Sequence, residues 1–321
     1  MNAFWSAVGL RLLMPAIGAA AALATLPLLV PRVGLGELER VRLLGLRIEQ
    51  AAASGEDIGA VFLVGNSVTI EGLDADRVAA ATGGPVRNYA INGSRLEDTA
   101  VILPRLLDAR PRAIVLSLMP THLFETRPTT PDEAYAYALG DLVDRSLVGE
   151  RLYPNDTTAA FDASTVRALA HFRSAPLRSL DDTLRMHLAS GRRADAADDW
   201  SCPNLLTADA PAAACRAHLE RVRELLRSNR PDPARLALLE RMQAHCESRR
   251  TRFFLCLAPV HPDLQADCPS GLAGLDFQTL LEANQFADAV HPNAEGRAVF
   301  SDALGPVLRR ALVRDAIVAR D

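Results

Sequence analysis

The chain has 321 residues, 49% of them hydrophobic, which is enough for one large or two modest domains with a sizeable core. Its net charge is −4, every basic residue is arginine, and no basic run is interleaved with aromatic residues, which argues against a nucleic-acid partner. Proline and glycine are spread along the chain, so no segment is of low complexity.

The first 30 residues differ from the rest of the chain. Leu12 to Val30 is an uncharged and mostly apolar run. Roughly 20 helical residues cross a bilayer core of about 30 Å, so this run predicts a transmembrane anchor within residues 1–33. A signal peptide cleaved near Ala22-Leu23-Ala24 is the alternative, but the apolar run continues past that site.

Two weaker signals bear on the location of the main domain. Arginines follow the anchor, and a simple count would keep the next domain in the cytoplasm, but whole domains cross membranes with little regard for such counts. Cys202 and Cys215 lie 13 residues apart, and Cys246 and Cys268 flank the predicted strand that contains Cys256. Two disulfides and one buried thiol, with the pairing left open, would fit an oxidising compartment. We expect a single-pass protein of the inner (cytoplasmic) membrane with an extracytoplasmic, periplasmic domain. No spacing of Cys and His predicts a metal site.

Residues 34–57 are predicted to be a linker, with a helix over Gly36–Ala53, and residues 58–321 to be the main domain. Strands in this domain are predicted at Val61–Val64, Val86–Ala90, Ala113–Leu118 and Phe253–Leu257. Helices are predicted at Leu73–Ala81, Ser94–Leu107, Ala234–Cys246 and Ala294–Val318, with Ser94 to Glu97 as a capping box and Asn293 as an N-cap. Pro104 is expected to kink the second helix or end it early.

The β pattern disappears between about residues 123 and 232. Helices are predicted there at Pro131–Val148, Ser164–Phe172, Leu177–Leu188 and Ala212–Leu226. We interpret this stretch as a helical insertion that forms a lid or a partner surface. The strands and helices around it predict an α/β domain with a mostly parallel sheet, in a flavodoxin-like three-layer α/β/α arrangement.

Polar residues follow the ends of the predicted strands. Gly65 allows a sharp turn into Asn66 and Ser67, although these three are also ordinary turn residues. The carboxyl ends of parallel strands open onto one crevice. The residues expected at that crevice are Ser67, Gly93, Thr121, His261, Asp288 and His291.

Three of these residues form a candidate catalytic triad. A serine becomes a nucleophile when a histidine takes its proton, and a carboxylate holds the other nitrogen of that histidine. Asp288 and His291 lie three residues apart before the last helix, so they share one side of a turn. His291 Nε2 is then directed at Ser67. The plain alternative is a solvated Asp288 and a His291 that only begins a helix.

The sequence resembles the SGNH (GDSL-type) hydrolase family. Gly65-Asn66-Ser67 looks like its nucleophile block, Asn88 to Gly93 its glycine block, Pro111 to His122 its third block and Asp288 to His291 its Asp-x-x-His block. The blocks occur in the family's order and cover residues 58–122 and 250–315. The resemblance implies Ser67, His291 and Asp288 as catalytic residues, with no cofactor.

Two residues depart from the family pattern. Asn66 replaces an Asp that is not part of the triad. Thr121 stands where the third block carries an Asn. The resemblance implies an oxyanion hole made by the N–H groups of Ser67 and Gly93, with the Thr121 hydroxyl in place of the Asn amide. The loss of one such donor costs about 2.7–4 kcal/mol, so a slow enzyme or a site completed by a partner is expected. His122 is a second candidate donor, although a histidine at a strand end is more often a packed or surface residue. The same alternative applies to His261.

The anchor, the altered third block and the insertion resemble a branch of the family that accompanies membrane-bound O-acyltransferases. The resemblance implies an esterase or O-acyltransferase that acts on an ester or acylated glycan, with such a membrane protein as partner. A catalytically weak or inactive scaffold is the alternative. The chain lacks a Gly-x-Gly-x-x-Gly or Walker-type loop, which argues against a nucleotide-binding module.

Overall fold

The computed structural model describes residues 37–124, 143–148, 212–228, 230–268, 272 and 274–318. Its strands are β1 (Val61–Gly65), β2 (Val86–Asn88), β3 (Ala113–Leu118), β4 (Arg252–Leu257) and β5 (Leu275–Asp276). They form a five-stranded sheet in the order β2-β1-β3-β4-β5, and every pairing is parallel. This order brings the carboxyl end of β1 between those of β2 and β3.

Helices connect and cover these strands. The α-helices of the described part are α1 (Glu37–Ser54), α2 (Ser67–Gly72), α3 (Ala75–Thr82), α4 (Leu96–Asp108), α5 (Ala212–Ser228), α6 (Pro233–Ser248), α7 (Pro262–Gln265) and α8 (Ala294–Val318). Short 3-10 turns occur at Pro120–Leu123, Arg145–Leu147 and Ala283–Gln285.

Apolar side chains alternate along the strands and build a core on each face of the sheet. Phe62 and Ile114 lie in the core that contains side chains of α1, α4 and α6. Leu63 and Val115 lie in the second core, with side chains of α3, α5 and α8. The predicted α/β fold with a parallel, doubly covered sheet is therefore confirmed.

The sequence predicts one helix over Leu73–Ala81, but the structure has two helices, and the first begins at Ser67. Asn66 Oδ1 accepts a hydrogen bond from Val68 N at 3.1 Å and caps α2. Asp74 caps α3 in the same way. A helix of six residues is too short to show a periodic apolar pattern, so only its cap could have revealed it.

Helix α4 begins one residue later than the predicted capping box. Arg95 is the N-cap, and its N–H donates to Asp98 Oδ2 at 2.9 Å. Ser94 instead donates its hydroxyl to Gly65 O at 3.0 Å. The helix continues through Pro104 to Asp108, close to the predicted end at Leu107, so Pro104 does not end it early.

Other predictions fall partly outside the described residues. The predicted anchor (residues 1–33) and the predicted helices Ser164–Phe172 and Leu177–Leu188 lie outside them entirely. Within the described residues, no helix has both the length and the apolar character needed to cross a bilayer. The predicted helix Ala212–Leu226 corresponds to α5, and strand β5 is too short for sequence patterns to predict.

The expectation of two disulfides is wrong, because Cys246 and Cys268 are free thiols in the structure. Cys246 is buried in the core with α1 and α4, whereas Cys268 packs against the core on the opposite face of the sheet. The sheet therefore lies between two cysteines that are near each other in sequence. Cys215 and Cys256 are also free thiols, and Cys202 lies outside the described residues.

Gly65 is required where β1 turns into α2. Its φ is 142°, and an added Cβ would lie 2.3 Å from Ser117 O and 2.3 Å from Thr69 Oγ1. Thr69 Oγ1 itself donates to Ser117 O at 2.9 Å, so these atoms are held in place. The chain can make this turn beside β3 only with a residue that has no side chain.

We expect Gly65→Ala to lower the free energy of unfolding by about 2–6 kcal/mol, because it adds both backbone strain and a steric clash. Gly83→Ala is the matched control. Gly83 also has a positive φ of 76°, but nothing lies within 4 Å of its added Cβ, so its cost should be about 1 kcal/mol. Urea unfolding of both variants measures the difference, and equal losses would contradict the clash.

Candidate active site

The nucleophile candidate lies at the first exit from the sheet. Ser67 is the first residue of α2, and its side chain is half-buried. The preceding Asn66 is buried and caps the helix, so the serine has a fixed place at the carboxyl end of β1. The sharp turn at Gly65 brings the serine to this edge of the sheet.

His291 and Asp288 meet Ser67 across the chain. His291 Nε2 lies 2.9 Å from Ser67 Oγ, and His291 Nδ1 lies 2.8 Å from Asp288 Oδ2. An ionised carboxylate can only accept, so Nδ1 carries the proton and Nε2 is left to accept from the serine hydroxyl. The structure therefore brings together the three residues that the sequence predicts, in the order a nucleophile, base and orienting acid require.

The loop that carries Asp288 and His291 is held by its own hydrogen bonds. Asp288 Oδ1 accepts from Val290 N and from His291 N, each at 2.8 Å. Ala287 N donates to His291 O at 2.8 Å and closes the loop. Asn293 then caps α8, as predicted, by accepting from the backbone of the first helical turn. The carboxylate is thus oriented before any substrate arrives.

Asp288 is ionised over the whole physiological range. Burial is the largest influence on its carboxyl group and opposes ionisation, but the hydrogen bonds and charge of His291, together with the N–H groups of Val290 and His291, outweigh it and lower the pKa of Asp288 to about 2. A permanently charged Asp288 keeps His291 in the Nδ1–H form and stabilises the imidazolium once it forms.

The glycine candidate lies in a turn tied to the nucleophile turn. Gly93 has a φ of 69° and lies in a turn closed by a hydrogen bond from Ser94 N to Ile91 O at 3.1 Å. Ile91 N and the Ser94 hydroxyl both donate to Gly65 O, at 2.9 and 3.0 Å. Within the described residues, the N–H groups of Ser67 and Gly93 have no acceptor, so both can donate to an oxyanion.

Thr121 lies in the 3-10 turn Pro120–Leu123 that follows β3, the neighbour of β1. The residue is nearly buried, and its hydroxyl makes no hydrogen bond to the described residues. The next residue, His122, contacts the nucleophile turn, since its Nε2 lies 2.6 Å from Asn66 Nδ2. The turn is therefore beside the nucleophile, while no hydrogen bond joins Thr121 itself to Ser67.

His261, also expected at the crevice, does not join the triad. Its Nδ1 accepts from Asp263 N at 3.3 Å and caps α7, and its ring packs 5.3 Å from the Phe286 ring. Burial lowers the pKa of His261, and the charge of Asp263 only partly offsets this. Its place is that of a structural cap, consistent with the ordinary alternative for a histidine at a strand end.

Sequence patterns gave no reason to select His218, which lies on α5 near the triad. Burial lowers the pKa of His218 most, the charge of Asp288 raises it, and the charges of Arg221 and His291 lower it. Leu219, the next residue on the helix, packs in the same core as Val290 of the triad loop. The sequence predicts the helix but not where it docks, so the proximity of His218 could not be foreseen.

In a comparison with known proteins, no family model matches the chain and no curated protein is significantly similar to it. The function therefore has to be inferred from the geometry and chemistry of the site. In the part of the chain that the structure describes, no group of three or more His, Cys, Asp or Glu side chains is arranged to hold a metal ion.

Proposed function

We propose that the protein is a serine-dependent acyl-ester enzyme, an esterase or O-acyltransferase that works through an acyl-serine intermediate. The observation that carries this proposal is the continuous chain of contacts from Ser67 Oγ to His291 Nε2 (2.9 Å) and from His291 Nδ1 to Asp288 Oδ2 (2.8 Å). Such a chain activates a hydroxyl that is otherwise a poor nucleophile.

The reaction follows from the atoms that meet at this site. His291 Nε2 takes the Ser67 proton as Oγ attacks the acyl carbonyl, and Asp288 stabilises the imidazolium. The N–H groups of Ser67 and Gly93 stabilise the oxyanion of the tetrahedral intermediate. Collapse breaks the ester bond, and the leaving alcohol takes the proton from His291. Water or a sugar hydroxyl then attacks the acyl-serine in a second cycle of the same steps.

The family and setting are part of the proposal. A parallel sheet in the order 2-1-3-4-5 is the flavodoxin-like order, and it supports a three-layer member of the SGNH (GDSL-type) hydrolase family with a helical insertion. The apolar run before residue 33 supports a membrane-tethered periplasmic enzyme. On that basis we propose an O-acylated glycan as substrate, O-acetyl in the first instance, and a membrane-bound O-acyltransferase as partner.

Covalent labelling tests the nucleophile. Wild-type protein treated with a fluorophosphonate should be modified at Ser67, since the reagent traps a serine that a neighbouring histidine activates. Ser67→Ala and His291→Ala should not be labelled, whereas Ser54→Ala, which removes an exposed hydroxyl at the end of α1, should be labelled like wild type. Wild-type protein that is neither labelled nor able to turn over any of a panel of aryl and sugar esters would refute the proposal.

A weakly active or inactive scaffold remains the second candidate because Thr121 replaces the expected third oxyanion donor. A scaffold would bind its acyltransferase partner through the insertion and would not need the serine. Cells that carry Ser67→Ala would then acylate their glycan as wild-type cells do. Loss of acylation in those cells, with the protein still present in the membrane fraction, would favour the enzyme.

Substitutions at Thr121 measure how much this position contributes. We expect Thr121→Val, which removes only the hydroxyl, to lower kcat by about tenfold, and Thr121→Asn to raise it by about tenfold. The reason is that an asparagine amide reaches further toward the oxyanion than a threonine hydroxyl. Steady-state kinetics on an aryl acetate provide the measurement. If both variants match wild type, Thr121 takes no part in the oxyanion hole.

A further inference from the structure

A hydrogen bond between Asn66 and His122 links the nucleophile turn to the turn after β3. Asn66 Oδ1 accepts from Val68 N, so the amide nitrogen Nδ2 is the atom that faces His122 Nε2 at 2.6 Å. An amide nitrogen can only donate, so Nε2 must be the acceptor. His122 Nδ1 lies 3.2 Å from Met119 O, which can only accept, so Nδ1 must carry the proton. Both partners therefore select one neutral tautomer of His122.

The main chain of the His122 turn is held by a second set of hydrogen bonds. Arg235 Nη1 donates to His122 O at 3.0 Å, and Arg235 Nε donates to Glu97 Oε1 at 2.7 Å. Both charged side chains are only 4% exposed, so this ion pair lies inside the protein. Asp232 N also donates to Leu123 O at 2.7 Å. Helices α4 and α6 thus hold the turn, so His122 is a fixed hydrogen-bond partner for Asn66.

We propose that His122 is a positioning residue, whose neutral Nδ1–H tautomer holds Asn66 and thereby sets the distance between Ser67 and the third donor of the oxyanion hole. The inference rests on the proposed acyl-ester chemistry. Ser67 follows Asn66 and Thr121 precedes His122, so this one hydrogen bond joins the two turns that must close on the oxyanion. It also explains Asn66, because an Asp here could not donate to the histidine nitrogen that faces it.

The hydrogen-bond direction can be tested with four variants assayed at pH 8. His122→Gln keeps an acceptor for Asn66 and should stay close to wild type. His122→Phe keeps bulk but no acceptor and should lower kcat about tenfold with KM unchanged. Asn66→Asp should cause a similar loss. Adding His122→Gln to Asn66→Asp should recover it, since a glutamine amide can turn and donate to the carboxylate. His245→Phe, in the last turn of α6 and outside the contact between Asn66 and His122, is the control for a lost histidine.

A spectroscopic readout separates this inference from the proposed function. In protein labelled with ¹⁵N-histidine, the His122 signals, assigned by their loss in His122→Gln, should show the neutral Nδ1–H tautomer at pH 8. A Nε2–H tautomer, a kcat of His122→Phe equal to that of His245→Phe, or a failure of glutamine to rescue Asn66→Asp would overturn the positioning role. A wild type without esterase activity would overturn the proposed function, and the tautomer would still be decided by the spectrum.

Discussion

Ser67→Ala is expected to reduce kcat for ester turnover by roughly 10⁴–10⁶-fold, because it removes the atom that forms the acyl intermediate. Only the oxyanion donors and substrate binding would remain. The substitution deletes one oxygen atom from a half-buried side chain whose only hydrogen bond within the described residues goes to His291, so the fold should persist. Kinetics with an aryl acetate, and thermal unfolding as a check on folding, measure the two effects.

His291→Ala should cost about as much as Ser67→Ala, and the double variant should cost little more than either one, since residues that act as a unit are not additive. Losses that simply multiply would mean that the two groups act independently, which would contradict the 2.9 Å contact between them. Ser54→Ala again serves as the matched control, because its hydroxyl caps an exposed N–H at the end of α1, away from the triad.

The predictions that the structure confirms are those in which a local sequence pattern agrees with a general rule of fold geometry. Apolar runs predicted β1 and β3 closely, and the rule that parallel strands open onto one crevice placed Ser67 and His291 at one edge, although 224 residues separate them. The spacing of Asp288 and His291 predicted their contact because a turn brings positions i and i+3 to the same side.

The features that could not be predicted from the sequence depend on packing between segments that are distant along the chain. Helix α5 has a clear amphipathic pattern, but no local signal shows that it brings His218 near Asp288. The tautomer of His122 likewise depends on Asn66, 56 residues away. The expectation of disulfides failed for the same reason, since Cys246 and Cys268 are near in sequence but are separated by the sheet.

Asp288→Asn should lower kcat by about 10³–10⁴-fold while leaving the fold intact. An amide at this position has one end that donates and one that accepts. Oδ1 must still accept from the N–H groups of Val290 and His291, so the amide nitrogen would face His291 Nδ1. The histidine would then carry its proton on Nε2, where it cannot accept from Ser67. Asp263→Asn is the matched control, because Asp263 also faces a histidine, His261, but lies outside the triad.

The pH dependence separates the role of the carboxylate from that of the base. The pKa of Asp288 is lowered to about 2, so its charge, and the stability gained from it, are complete above its unfolded value of about 4 and are lost only as the pH falls through about 2. Asp288 therefore stays ionised from pH 5 to 8, and no change of kcat/KM within that range can come from its protonation. In Asp288→Asn, added base should not restore the rate, because the defect is the wrong tautomer and not a bound proton. Recovery of wild-type turnover at high pH would contradict the tautomer explanation.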